Sequence, residues 1–175
     1  MPDLPKWMNR SQATRNNKKA QKREKKLAKE EGGRLQPNSG SLWGAKGDVK
    51  LEHFLVDSKT TKHSKFRMTI TIMEKLREEA YMMEDRLPAL EVILEDDYGQ
   101  AYYAVDEYTW QTLISAMPDD TDIVIAVEDR SKYKSYNIID GIELVKVELK
   151  GGYTYYVMNE DHWQTFKENY KTSGD

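Results

Sequence analysis

No cysteine occurs in the 175 residues, which excludes disulfides, zinc–thiolate centres and thiol nucleophiles and agrees with a reducing compartment. Histidine is scarce, and His53, His63 and His162 share no ligand spacing, so each is expected at the surface. No apolar run reaches membrane-spanning length. The opening Met-Pro-Asp-Leu-Pro-Lys-Trp lacks the apolar core of a signal peptide. A cytoplasmic protein with no membrane partner is the expectation. Charge of one sign is short only locally. Residues 1–67 hold 17 Lys and Arg against 7 Asp and Glu, while 68–175 hold 10 against 23, so the net −3 averages a basic front and an acidic back. A basic front is what a partner carrying phosphates would select, although a solubilising tail has the same composition.

Residues 1–16 are polar, with two prolines, and predict a flexible basic arm. From Asn17 to Glu31 helix-forming residues dominate, and Gly32-Gly33 supplies a stop. Apolar content there is limited to Ala20, Leu27 and Ala28, so that helix needs a partner surface. Residues 34–46 carry Pro37, Gly40 and Gly44 and read as a loop. Short strands are predicted over 48–51 and 53–60, joined by a tight turn that contains Glu52. A helix over 71–86 follows from Ile72, Leu76, Ala80 and Met83, ended by Pro88. Strands over 89–94 and 100–105 and a helix over 108–117 come next.

The segments starting at Gly99 and Gly152 align without gaps. They share Tyr102/Tyr155, Tyr103/Tyr156, Trp110/Trp163 and Gln111/Gln164. Each predicts a strand, a turn and a helix whose aromatics pack the core. A stacking platform for unpaired bases is the alternative use of such residues.

Chemistry concentrates in Gly47-Asp48, then eight residues, then Asp57-Ser58-Lys59. Residues i and i+2 of a strand share a face, so Asp57 and Lys59 project together, and Asp48 can join them from a hairpin neighbour. Two carboxylates that close repel unless a cation separates them, and oxygen donors with open positions suit Mg²⁺ or Mn²⁺. A lysine beside them can orient or help deprotonate an attacking water, which suffices for phosphodiester hydrolysis. The triplet alone is common, and a solvated hairpin would contain it too. Its neighbours add weight. Thr60-Thr61 keep the strand end polar, Asn38-Ser39-Gly40-Ser41 offers donors to phosphate, and Glu24 stands in the basic helix.

The run EKKLAKEEGGRLQPNSGSLWGAKGDVKLEHFLVDSKTT resembles the conserved block of the archaeal and phage Holliday-junction resolvases, in the PD-(D/E)xK nuclease superfamily. The likeness continues into EKLREEAYMMEDRLPALEVIL and spans roughly residues 20–110. It implies an α/β, restriction-endonuclease-like core over 17–117, with a mixed sheet flanked by helices. The C-terminal third has no counterpart in the resemblance, and its own sequence predicts an α+β, strand-rich extension of the same domain over 118–175, with strands over 122–127, 142–149 and 153–158 and a final helix. The resemblance further implies that Glu24, Asp48 and Asp57 bind the metal with the Ser58 carbonyl, and that Lys59 is the catalytic lysine. Where this chain has Asp57 the family more often has Glu. Glu30 and Glu31 share the helix with Glu24, and only the count back from Gly32 favours Glu24.

Expected DNA contacts are Lys18, Lys19, Lys22, Arg23, Lys26 and Arg34, then Ser39, Gly40, Ser41 and Lys46, and finally Lys62, Lys65 and Arg67. Trp43 is placed equally well as a wedge in a junction or as a core cover, and Lys75 is expected on a solvated face. The expected function is a Mg²⁺- or Mn²⁺-dependent endonuclease acting on four-way or branched DNA as a homodimer, in the host cytoplasm if a phage encodes it. Another nuclease on the same fold, or a DNA-binding protein that has lost its chemistry, are the rivals.

Overall fold

The computed structural model describes residues 49–95 and 100–173, together with 22, 25, 26, 28, 29, 34 and 35. Its core is a mixed sheet between two helical layers. Eight strands stand in the order β1 (Arg34–Leu35), β2 (Val49–Lys50), β3 (Phe54–Thr61), β5 (Leu87–Leu94), β6 (Gln100–Asp106), β10 (Tyr153–Asn159), β9 (Leu144–Leu149) and β7 (Ala126–Arg130). Neighbours are antiparallel except β3 with β5 and β7 with β9, which are parallel. The remaining strands, β4 (Lys65–Thr69) and β8 (Ser135–Ile139), form a separate antiparallel ribbon. The extension therefore belongs to the same sheet as the front half, because β10 pairs directly with β6.

Helix α1 (Ile70–Met82) carries the chain from β4 back to β5, which a parallel partner for β3 requires. Thr69 caps it by accepting a hydrogen bond from the Ile72 amide at 3.1 Å. Met73, Leu76 and Ala80 recur at helical spacing and are buried on one face of the sheet with Leu55, Leu90 and Val92. The helix stops before the 86 expected from Pro88. Glu84 and Asp85 take left-handed backbone conformations, with φ of 61° and 55°, and Pro88 lies inside β5. Arg86 then ties the turn down. Its Nη1 donates to the Met83 carbonyl at 2.6 Å and its Nε to the Leu51 carbonyl at 2.8 Å, so the end of α1 is fastened to the start of β3.

The opposite face is covered by α2 (Glu107–Ser115) and α3 (Glu160–Ser173), with Trp110, Leu113, Trp163 and Phe166 buried against Phe54, Val56 and Ile93. Here the internal echo acquires a geometric meaning. Trp110 stacks on Tyr156 at 4.3 Å, and Trp163 stacks on Tyr103 at 4.8 Å. Each tryptophan thus packs on the other copy's tyrosine, and the two strand–helix units are related by a local twofold between β6 and β10. Such stacks add roughly 0.5–1.5 kcal/mol beyond area burial. The aromatics are core, which removes the base-stacking alternative for these residues.

Helical conformation at Lys22, Lys25, Lys26, Ala28 and Lys29 agrees with the expected basic helix. Ala28 is buried against the Phe54 side of the sheet while the four lysines are exposed, which supplies the partner surface so thin an apolar stripe needs. Several strands depart from expectation. The ribbon strands β4 and β8 are additional, β1 opens the segment expected as a loop over 34–46, and the strand expected over 122–127 begins instead at Ala126. Among the described residues no helix is long and apolar enough to cross a membrane.

Candidate functional site

The polar end of β3 carries the side chains singled out by their spacing. Phe54, Leu55 and Val56 are fully buried, and from Asp57 onward the strand emerges toward solvent. Leu55 packs under α1, so strand alternation puts Asp57, Lys59 and Thr61 on that same face. The Lys59 ammonium lies 2.9 Å from an Asp57 carboxylate oxygen, with the two side chains 44% and 18% exposed. The carboxylate is thus held near the floor of the site while the ammonium reaches the water.

The flanking strands set the frame. Val49 pairs with Val56 and Lys50 with Leu55 in an antiparallel hairpin, so the chain enters β2 immediately beside the start of the polar stretch. Glu52 occupies the turn as expected, closed by a Leu51 amide to Phe54 carbonyl bond of 2.8 Å. On the other side β5 runs parallel, with Asp57 opposite Leu90 and Lys59 opposite Val92.

Lys62, Lys65 and Arg67 follow in the β3–β4 turn and on β4, and all three are exposed. Lys22 and Lys26 are exposed on the N-terminal helix, and Arg34 lies in β1 opposite Lys50. Lys75 is on the outer side of α1, 3.9 Å from Glu79, a solvated position. Glu24, Glu30, Glu31 and Asp48 lie outside the described residues, as do Lys18, Lys19, Arg23, Ser39, Gly40, Ser41, Trp43 and Lys46. Among the described residues no three His, Asp or Glu side chains converge as a metal-binding group. His63 is exposed, while His53 and His162 are partly buried, the latter within 2.8 Å of Asn159 Oδ1.

No family model, curated protein or solved structure matches this chain. The residues themselves therefore carry the functional reading.

Two cavities flank α1. The first, about 960 Å³, opens where β3 ends and is lined by Thr61, His63, Lys65, Arg67, Ser135 and Asn137, among others, with no carboxylate in its wall. The second, about 1040 Å³, lies at the other end of the same helix, where β5 begins. Glu74, Glu78, Asp106 and Glu107 surround it against Arg77 and Arg86, with Tyr81 and Tyr108 at its rim 76% and 72% exposed. A phosphate is attracted by the first and repelled by the second.

Spacing rules did not reveal the cavity near Thr61, because Ser135 and Asn137 arrive from a strand some seventy residues away in sequence. They also did not reveal three buried polar side chains. Glu91 is fully buried in β5 and accepts a hydrogen bond from the Tyr103 hydroxyl at 3.3 Å. Lys167 is buried on α3, and burial with repulsion from Lys171 lowers its pKa to about 8. Tyr155 has a buried hydroxyl with no hydrogen-bond partner among the described residues. Burial, then the charges of Glu74 and Asp106 among its neighbours, push its pKa well above the ordinary tyrosine value. Tyr136 and Tyr156 are pushed up to about 12, chiefly by burial and then by Glu128 and Glu107 respectively. None of these phenols ionises near neutrality, so none is a base for the chemistry.

Proposed function

We propose that this chain is a metal-dependent DNA endonuclease with a restriction-endonuclease-like core of the PD-(D/E)xK type, acting on four-way or branched DNA. The observation that carries the reading is the Asp57–Lys59 pair. A carboxylate and an ammonium stand 2.9 Å apart on one face of a strand, at the point where that strand leaves the core. A helix and then a further core strand follow β3, which supports it, because the resemblance implies that order after an aspartate-x-lysine strand. Asp48 directly precedes Val49, the first residue of the hairpin strand.

The donor chemistry fits a hard divalent cation. Asp57 offers one carboxylate and Ser58 a backbone carbonyl, and Asp48 and Glu24, outside the described residues, would complete an oxygen set for Mg²⁺ or Mn²⁺. A bound cation would supply Lewis acidity at the phosphate and acidify the attacking water. The chain's own groups do the rest. Lys59 is a half-exposed cation on a long aliphatic stem that balances Asp57 and, on this reading, serves a non-bridging phosphate oxygen or the incoming water. Asp57, fixed in the sheet, holds its oxygens in one orientation, which is worth more to a reaction than charge alone. Water attacks phosphorus, the bond to one sugar oxygen breaks, and a nick remains. Two symmetric nicks in a junction call for a twofold homodimer.

A gel assay tests this. A labelled four-way junction and a matched duplex are incubated with the full chain in Mg²⁺ and in EDTA. Paired nicks in the junction alone, only with Mg²⁺, are the expected result. Metal-dependent cutting of both substrates would keep the nuclease and remove junction specificity. No cutting, with binding retained, would overturn the enzymatic reading in favour of a DNA-binding protein.

A further inference from the structure

The β4–β8 ribbon joins a strand of the basic front half to one of the acidic back half, and its two faces differ sharply. Met68, Tyr136 and Ile138 point inward and are buried over α1 and the sheet. Outward, the register places Lys65 opposite Ile139, Arg67 opposite Asn137 and Thr69 opposite Ser135. Lys65, Arg67 and Asn137 are exposed, and Arg67 Nε donates to Ser135 Oγ at 3.1 Å, which orients the guanidinium along the ribbon.

That outer face forms one wall of the 960 Å³ groove, and Thr61 at the end of β3 forms part of the other. Thr61 shares its face with Lys59, two residues and so about 7 Å further along the strand. The groove contains cations, hydroxyls and an amide, and Lys62, Lys65 and Arg67 have no carboxylate within ion-pairing distance among the described residues. Elsewhere in the molecule cations are neutralised locally, as Arg77 is by Glu74, Arg86 by Glu84 and Arg130 by Glu128. The first turn of α1, which reaches the groove at Ile72, has no acidic residue, so its amide dipole adds to the positive field.

We propose that the outer face of this ribbon binds the sugar–phosphate backbone of the nucleic-acid strand that leaves the Asp57–Lys59 site. Arg67 and Lys65 take phosphate oxygens, and Asn137 and Ser135 supply neutral hydrogen bonds from the back half of the chain. The inference rests on the nuclease reading for its substrate. It gives the back half of the chain a part in substrate binding as well as in the sheet.

Binding of the full chain to a labelled duplex and a four-way junction, followed by fluorescence anisotropy in EDTA across a salt series, tests it apart from cleavage. Lys65→Ala/Arg67→Ala is expected to bind at least tenfold more weakly at low salt. Its log–log salt slope should be shallower by about 2, since each neutralised phosphate contributes roughly 0.9. Asn137→Ala should lose a few-fold in affinity with its slope unchanged, because no charge leaves. Lys75→Ala/Lys171→Ala removes the same charge elsewhere and should match the parent. All five substituted ribbon and control positions are exposed, and thermal unfolding checks that each variant is folded. Superimposable curves for the parent and Lys65→Ala/Arg67→Ala would overturn the ribbon's role, as would an equal loss in the control. If the parent binds through the ribbon but cuts nothing in Mg²⁺, the nuclease reading fails and the ribbon stands. If it cuts while the ribbon variants bind and cut as the parent does, the reverse holds. A parent that binds no nucleic acid at low salt removes both.

Discussion

Removing Asp57 or Lys59 should cost activity far more than stability, and the structure sets the size of each effect. At 2.9 Å the Coulomb energy of the pair is about 1.4 kcal/mol in a water-like medium and about 6 kcal/mol at an effective dielectric of 20. Lys59 is 44% exposed, which places the pair near the watery limit. Exposed pairs measured by double-mutant cycles give about 0.2–1 kcal/mol, because screening and side-chain entropy offset the attraction. Asp57→Asn and Lys59→Met keep the volume and the β-strand, so each should lower the unfolding free energy by about 1 kcal/mol or less. Their coupling energy in the double mutant should be of the same order. Cleavage of a junction in Mg²⁺ should fall by roughly 10²–10⁴-fold in either single mutant, the range seen for a positioned acid–base group. Urea unfolding of the two single mutants, the double mutant and the parent gives the stability cycle, and single-turnover cleavage gives the rates. A loss above about 3 kcal/mol in either single mutant would identify a buried structural pair, since that is the cost of orphaning a buried charge. Cleavage unchanged in Lys59→Met would move the chemistry elsewhere.

Two further predictions concern the buried polar groups. Tyr155→Phe removes a hydroxyl that is buried without a partner among the described residues and should raise stability by about 1 kcal/mol, measured as a shifted urea midpoint at constant m. A loss of stability would mean that the hydroxyl has a partner in solution. Lys167 has a folded pKa lowered to about 8 from 10.5, so below pH 8 the folded state bears the full cost of its buried charge. As pH rises through 8 toward 10 the unfolded chain holds more protons than the folded one, and stability should increase. Above pH 10 the raised tyrosines act with the opposite sign, because the unfolded phenols ionise first. Lys167→Met should flatten the rise between pH 8 and 10 in denaturant titrations, and an unchanged slope there would refute the assignment.

Local spacing was sufficient wherever a single element decided the outcome. The alternation of Asp57 and Lys59, the burial of Leu76, Ala80 and Met83 on one face, and a strand through 89–94 all follow from periods of 2 or 3.6 residues, whereas Ile72 is only partly buried and Met73 takes its place in the core. The echo of Trp110 in Trp163 was visible, but a pattern along a chain cannot say that each ring stacks on the other copy's tyrosine. The end of α1 was misjudged because Pro88 is a breaker in a helix yet tolerable as the second residue of a strand. The real stop is a pair of left-handed residues clamped by Arg86. β8 was missed because Ser-Tyr-Asn-Ile-Ile is short and mixed, and its strand character comes from pairing with β4. The ribbon, and with it the groove, depends on contacts some seventy residues apart.

Charge shows the same limit with more consequence for function. Along the sequence the positive and negative halves divide near residue 67. In space the division runs along α1, because the parallel pairing of β3 and β5 gives the sheet two unlike ends. Thr61 and Leu94 mark one end, with Lys65 and Arg67 lining the groove, Lys62 in the adjoining turn and Glu95 following Leu94. Leu87 and Asp106 mark the other, with Glu74, Glu78 and Glu107 around the second cavity. α1 spans the two, its first turn at the cationic groove and its last at the acidic one. The two cavities beside α1 therefore differ in charge, the one lined by Lys65 and Arg67 lying at the end of β3 that carries Lys59. On the nucleic-acid reading proposed above, a polyanion approaching that end would meet the ribbon before it meets the carboxylate. On the same reading the acidic residues around the second cavity lie away from the proposed interface, and the back half contributes β8 to it.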